Sequence, residues 1–310
     1  MKAGRRRYLQ QMLALSAWPA LAARADERRF LVSFAQDALS NDFQAAQVRL
    51  LAERFAREPQ INFVFSDADG QTAKQIADIE EFVARKVDLL IVFPRDAKAM
   101  APVVAQAYRR GIPVVLLSRS VETNDYTSLV GPDNEQLGAQ AADFMAARLH
   151  GKGAVMMLEG VPTASSAIAR GAGFRNRLRR YPGIQLVASK VGNYLRGDAI
   201  LAMEEMLSSG LQFDGLFAQS DSMAAGAHLA LKKAGIAPAS KLIVGIDYIA
   251  EARQAILAGE QTASFVYPLS INEVVETVIA ILRGHKVPRR RVVPGRLVTR
   301  SEAQSVAPIF

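Results

Sequence analysis

The amino-acid sequence predicts an α/β protein made of two doubly wound parallel-sheet lobes, joined by a hinge that the chain crosses more than once. Three observations predict it. From Arg29 to Arg283, apolar runs of strand length alternate with segments whose apolar residues recur at helical spacing. The runs of Leu, Ile and Val do not alternate with polar residues, which suits strands covered by helices on both faces. The pattern also occurs twice: VFPRD and LLSRS close two strands of the first half, and FAQSD and VGIDY close their counterparts in the second.

In chain order, RFLVSF (Arg29 to Phe34) is the first strand, and the polar loop AQDALSND leads to a helix from Phe43 to Arg57, capped by Asp42 and stopped before Pro59. The strand INFVF (Ile61 to Phe65) and the turn SDADG precede a helix from Thr72 to Arg85, with Ile76, Ile79, Phe82 and Val83 on one face. Asp88 to Phe93 is a strand, Met100, Val103, Val104, Ala107 and Tyr108 mark a helix, and Gly111 and Pro113 introduce a strand ending at Ser118-Arg119. A crossover of this length makes the two strands parallel and the connection right-handed. Their polar ends, Pro94-Arg95-Asp96 and Ser118-Arg119-Ser120, then lie on the carboxyl edge, where open parallel sheets hold ligands. Thr127 to Gly131 adds a short strand, and Asp133 or Asn134 caps a helix reaching Leu149. The second series runs Ala154 to Leu158 (strand), Ser166 to Arg180 (helix), IQLVASKV (strand), Asp198 to Ser208 (helix), Asp214 to Gln219 (strand), Ser222 to Ala234 (helix) and Lys241 to Ile246 (strand). A short strand (Thr262 to Val266), a helix from Pro268 to Arg283 and a basic tail complete the chain, with Arg289 to Arg291 read as a solvated hinge or surface run.

With 310 residues, 50% of them hydrophobic and 22% charged, the chain is long enough for two domains of about 100 to 150 residues. Residues 1–25 read as an export signal cleaved after Ala25: Arg5, Arg6 and Arg7 precede an apolar stretch from Met12 to Leu21, and Ala23-Arg24-Ala25 supplies the small residues of a cleavage site. RRRYLQ is similar to a twin-arginine signal, with Sec export as the alternative. Removing the segment takes away five basic residues and no acidic ones, lowering the formal charge from +8 to +3, so the basic balance does not point to nucleic acid. No run in the remainder approaches the ~20 apolar residues that span a bilayer. The absence of cysteine excludes disulfides, thiolate metal sites and a cysteine-linked lipid anchor. His150, His228 and His285 are isolated, and there is no metal-ligand spacing, phosphate loop or nucleophile–base constellation, so neither an enzyme nor a metal or cofactor is expected. Gly171-Ala172-Gly173 lacks the strand–turn–helix setting of a dinucleotide fingerprint and reads as close packing.

The ordered pieces VDLLIVFP, GIPVVLLSR, GPDN, TASSAIARGAGF, FAQSDSMAAGA, VGID and ASFVYP together resemble the periplasmic sugar-binding proteins of the ribose- and galactose-binding type, the class I substrate-binding proteins of ABC importers. The loop AQDALSNDFQAA is similar to the galactofuranose-binding branch. The resemblance implies a type I periplasmic binding protein, a Venus flytrap with residues 26–132 and 267–292 in lobe 1 and 133–266 and 293–310 in lobe 2, hinged at Gly131, Pro132, Asp133, Tyr267 and Pro268. It implies capture of a small polar ligand, foremost a monosaccharide, for the membrane permease of an ABC importer. The alternative is a periplasmic sensor presenting its closed form to a membrane histidine kinase or chemoreceptor. A repressor of the same fold would need a DNA-binding headpiece, and the residues before the first strand read as a signal instead.

Sugars call for planar donors and acceptors for their hydroxyls and flat apolar surface for their C–H faces. The resemblance assigns ring stacking to Phe43 and Tyr194, hydroxyl contacts to Arg119 and Asp247, and further contacts to Asp37, Gln44, Ser118, Arg170 and Ser220. Four positions depart from the family pattern: Ser118 replaces the Asp before Arg119, Ser220 the Asn of FAQND and Gln44 an Arg of the galactofuranose-type loop, while Val266 stands near a Gln of ribose binders. Arg170 lies two residues past the family's contacting Arg, where this chain has Ile168, so a purely structural role is its alternative.

Overall fold

The computed structural model describes residues 29–310, and the export-signal reading of residues 1–25 falls outside it. One sheet holds β1 (Phe30–Gln36), β2 (Ile61–Asp67), β3 (Leu89–Val92), β4 (Val114–Leu117), β5 (Ser128–Gly131) and β11 (Arg290–Val292). The other holds β6 (Gly153–Glu159), β7 (Ile184–Val191), β8 (Gly215–Ala218), β9 (Leu242–Asp247), β10 (Ala263–Val266) and β12 (Arg296–Thr299). The helices are α1 (Asp42–Phe55), α2 (Thr72–Ala84), α3 (Ala101–Arg109), α4 (Asn134–Arg148), α5 (Ser165–Leu178), α6 (Arg196–Ser208), α7 (Asp221–Lys233), α8 (Ala250–Ala258) and α9 (Ile271–Leu282).

The strand orders, β11-β5-β4-β3-β1-β2 and β12-β10-β9-β8-β6-β7, describe two similar half-molecules. The strand pairs are parallel, as βαβ crossovers such as β1-α1-β2 and β3-α3-β4 require, apart from the antiparallel β10–β12 pair at an edge. The inner strands β3 (LLIV), β4 (VVLL) and β8 (GLFA) are buried at every position, as strands lying between two helical layers must be. Leu51 and Phe55 of α1 and Val274, Val275 and Val278 of α9 close one face of the first sheet, each burial contributing roughly 1.5–3 kcal/mol. Residues 131–134, 266–271 and 292–296 carry the chain from one sheet to the other.

Several local expectations are corrected. The cap of α1 is Asn41, whose side chain accepts from the Phe43 amide at 2.9 Å, and Asp42 opens the helix. Ser220 caps α7, accepting from Met223 at 3.3 Å, so that Asp221 is the first helical residue. The helix α8 was not expected. The run Arg289 to Arg291, read as a solvated hinge or surface run, does lie at the surface, and it also supplies an edge strand that was not foreseen: β11 pairs with β5, Arg290 meets Asp133 at 3.0 Å, Arg291 meets Glu276 at 2.6 Å, and Arg289 donates to the Tyr126 carbonyl at 3.0 Å. The glycine run in α5 does serve close packing, since a Cβ on Gly173 would sit 2.0 Å from the Glu135 carbonyl oxygen of α4.

Candidate ligand-binding site

Residues just beyond the carboxyl ends of the inner strands of both sheets line a cleft, among them Phe43, Arg119, Tyr194 and Asp247. The two halves are in contact around it. The Asn41 side chain donates to the Tyr194 carbonyl at 2.8 Å, the Ala97 amide to the Thr163 carbonyl at 2.9 Å, and the Ser120 amide to the Ser165 hydroxyl at 2.7 Å. The structure is therefore that of a closed clamshell.

On the side of the first sheet, Arg119 follows β4 and is buried. It donates to Asp37 at 2.7 Å and to the Pro94 carbonyl at 3.3 Å, and its guanidinium lies 4.1 Å over the Phe93 ring. Gln44, one turn into α1, donates to the other Asp37 oxygen. A buried ion pair survives only when its remaining valences are met, and Gln44 meets one of them. The Nε of Arg119 is buried with no protein partner. Phe43 meets Tyr267 edge to face at 5.4 Å between ring centres.

On the side of the second sheet, Arg170 of α5 reaches the cleft. Its Nε donates to Asn134 at 2.9 Å, its Nη1 donates to the Gln219 carbonyl at 2.5 Å, and its guanidinium lies 4.4 Å over Tyr267. Burial pulls this group's pKa down, but Tyr194, Tyr267 and Asp247 outweigh it and raise the pKa above the ordinary value, so the cation persists. Ile168, in the place of the family's Arg, is 53% exposed and points away from the wall. Asp247 ends β9 with φ 120°, and burial lifts its carboxyl well above the ordinary range, opposed by the nearby Arg170. Tyr194 is buried, and its hydroxyl lies 3.0 Å from that of Ser166.

Of the sequence-derived candidates, Phe43, Gln44, Arg119, Arg170, Tyr194, Ser220 and Asp247 meet at this wall. Ser118 does not line it, and Asp37 lines the adjoining space that also opens between Asn41, Gln44, Arg119 and Tyr194. Asp37 stands behind Arg119, and Ser118, at φ 61°, turns its carbonyl to the Asn134 amide group at 3.2 Å and to the Tyr267 hydroxyl at 3.5 Å. Tyr267, expected at the hinge, is also part of the wall, while Gly131, Pro132, Asp133 and Pro268 lie in the crossing segments. Asn41, Phe93 and Ser166 line the cleft without having been singled out. For Phe93 a signal existed, because it ends the apolar run of β3 immediately before Pro94 at the carboxyl edge.

The periplasmic binding protein domain matches residues 32–286 of this sequence. The chain belongs to that family. This binding protein is 30% identical over 285 residues to the ribose import binding protein of Bacillus subtilis, with 91% of each chain covered. It is 36% identical over 209 residues to a xylitol-binding protein of Mycolicibacterium smegmatis, a match covering 67% of this chain and 59% of that one. Among solved structures, the fructose-binding periplasmic domain of a hybrid two-component system superposes with a TM-score of 0.86 at 28% identity, covering 89% of this chain and 92% of that one. Among the described residues, no helix is long and apolar enough to cross a membrane.

Proposed function

We propose that this binding protein is exported to the periplasm and encloses one small polyhydroxylated molecule, a monosaccharide foremost, for delivery to the permease of an ABC importer. The observation that carries this is the meeting of two arginines, a buried carboxylate and four aromatic rings in one cleft between the sheets. Arg119, Arg170 and Asp247 offer hydrogen bonds to hydroxyls, and Phe43 and Tyr194 offer faces to C–H groups. Micromolar affinity corresponds to about −8 kcal/mol, which a handful of charge-assisted hydrogen bonds and ring contacts supply when closure excludes water. Release follows from opening about residues 131–134, 266–271 and 292–296, with Gly131, Pro132, Asp133, Tyr267 and Pro268 as hinge positions. No reaction is assigned to the cleft.

The likeness to a two-component sensor domain supports a second reading, in which the closed form is read by a membrane kinase or chemoreceptor. Thermal-shift screening of residues 26–310 against sugars, sugar alcohols and other small polar metabolites tests the binding step, since a ligand of the folded state raises the melting temperature by mass action. A screen in which no polyol or sugar shifts the transition would sink the proposal. Co-purification with a permease rather than a kinase separates the two readings. An amino terminus at Asp26 on protein recovered from the periplasm tests export.

A further inference from the structure

We propose that Asp221, which does not line the cleft, is a positioning residue whose carboxylate fixes the turn that aims Asp247 at the ligand; this rests on the reading of Asp247 as a ligand contact. Asp221 opens α7 and is buried. One carboxylate oxygen accepts from the Tyr248 amide and from the Ser264 hydroxyl, both at 2.6 Å, and the other accepts from the Gln261 side chain at 2.8 Å. The Tyr248 amide belongs to the peptide that follows Asp247, so the first of these bonds sets the plane from which the Asp247 side chain departs.

That plane needs holding. Asp247 (φ 120°) and Tyr248 (φ 62°) are consecutive non-glycine residues in conformations that L-residues disfavour, and such backbone persists only where its surroundings fix it. The neighbouring chain makes room for the carboxylate: a Cβ on Gly245 would lie 1.8 Å from an Asp221 oxygen. Burial lifts the Asp221 carboxyl to about 6, opposed by hydrogen bonds from Ser264, Gln261 and the Tyr248 and Ile249 amides, so above that pH it is ionised and accepts from all four. The backbone amide of Asp221 also faces the Asp247 carboxylate, so one residue touches both ends of the turn.

The test compares D221A and D221N in the native and D247N backgrounds. It reads the dissociation constants for D-ribose and xylitol by calorimetry and the exchange protection of the Tyr248 amide. Asp221→Ala is expected to weaken binding about 30-fold and to lower the exchange protection of the Tyr248 amide, which keeps only its longer bond to the Ser264 hydroxyl at 3.1 Å. Asp221→Asn, which still offers an oxygen to that amide, stays within about threefold of the native chain. In the D247N background the D221A change has little left to remove, so its effect shrinks to about threefold or less. Equal weakening in both backgrounds, or a Tyr248 amide as protected in D221A as in the native chain, would overturn the assignment. If D221A does not fold, a D221N protein that loses binding while its Tyr248 amide stays protected overturns it equally. Should neither probe bind the native chain, the affinities are read with a sugar or polyol that raises its melting temperature; should none do so, the sugar-binding reading fails on its own, and the Tyr248 exchange contrast between the two variants still decides the positioning role.

Discussion

The two walls of the cleft handle buried charge in opposite ways. On the first sheet, Arg119 is paired with Asp37 at 2.7 Å, Gln44 is bonded to that carboxylate, and the guanidinium lies over Phe93, so the charges are matched before any ligand arrives. On the second, Asp247 is buried without a side-chain hydrogen-bond donor beside it, its carboxyl is raised by burial, and Arg170 is engaged by Asn134 and the Gln219 carbonyl. The first wall carries an acid already paired within the protein, whereas the acid of the second has only the Asp221 amide and the nearby Arg170 to offset its burial. The two acids are therefore expected to differ, Asp37 mattering for folding stability and Asp247, on the proposed reading, for binding.

The largest effect should come from Asp37→Ala. It strands the Arg119 charge in the interior and is expected to destabilise the unliganded protein by about 3–5 kcal/mol, read from denaturant midpoints. The mirror substitution, Asp247→Ala, is expected to leave the unliganded protein as stable as the native chain or more so, while weakening ligand binding about 100-fold by calorimetry, or about 2.7 kcal/mol. If both variants lost stability alike, the contrast between the walls would be broken.

Acid sensitivity sharpens it further within the second half. Burial lowers His228 of α7 from 6.5 to about 4, against the opposing influence of Glu260. The folded state thus holds this imidazole neutral, and the stability that goes with it is present above pH 6.5 and lost as pH falls toward 4. Asp221 acts in the reverse sense: its carboxyl is raised from 3.8 to about 6, so its contribution favours folding at low pH and fades as pH rises through that window. His228→Leu should therefore recover about 2 kcal/mol of the stability that the native chain loses between pH 7 and 4.5, and a variant with an unchanged pH profile would count against the buried neutral histidine. The smallest effect is at the rim. Asn41→Ala removes the bond to the Tyr194 carbonyl and an α1 cap, and should cost about 1 kcal/mol of stability and lower ligand affinity a few-fold, measured by melting and by titration.

The alternation of apolar runs and helical periodicity made nearly all of both sheets legible, because inner strands such as LLIV and VVLL admit few other fates. What escaped was held by non-local pairing or too short to show a period. In α8 only Ala252 and Ile256 are buried, a single i,i+4 pair, and β11 is a three-residue basic strand whose partner β5 lies far away in sequence. The wall was legible in proportion to its position on strand ends: Arg119 and Asp247 follow from topology. The absence of Ser118 from the wall does not, because its direction is set by a left-handed φ of 61° that the residue type does not announce. Arg170 illustrates the same limit, since a two-residue offset along α5 separates an outward Ile168 from an inward guanidinium.

The most direct measurement is a crystal structure of residues 26–310 grown with whichever sugar or sugar alcohol gives the largest thermal shift. The account predicts one ligand molecule in the cleft, with hydroxyls within hydrogen-bond distance of Arg119 and Asp247 and a C–H face against Phe43 or Tyr194. A ligand found outside the cleft, for instance in the groove between Pro59 and Leu282, with Asp247 contacting no ligand atom, would contradict it.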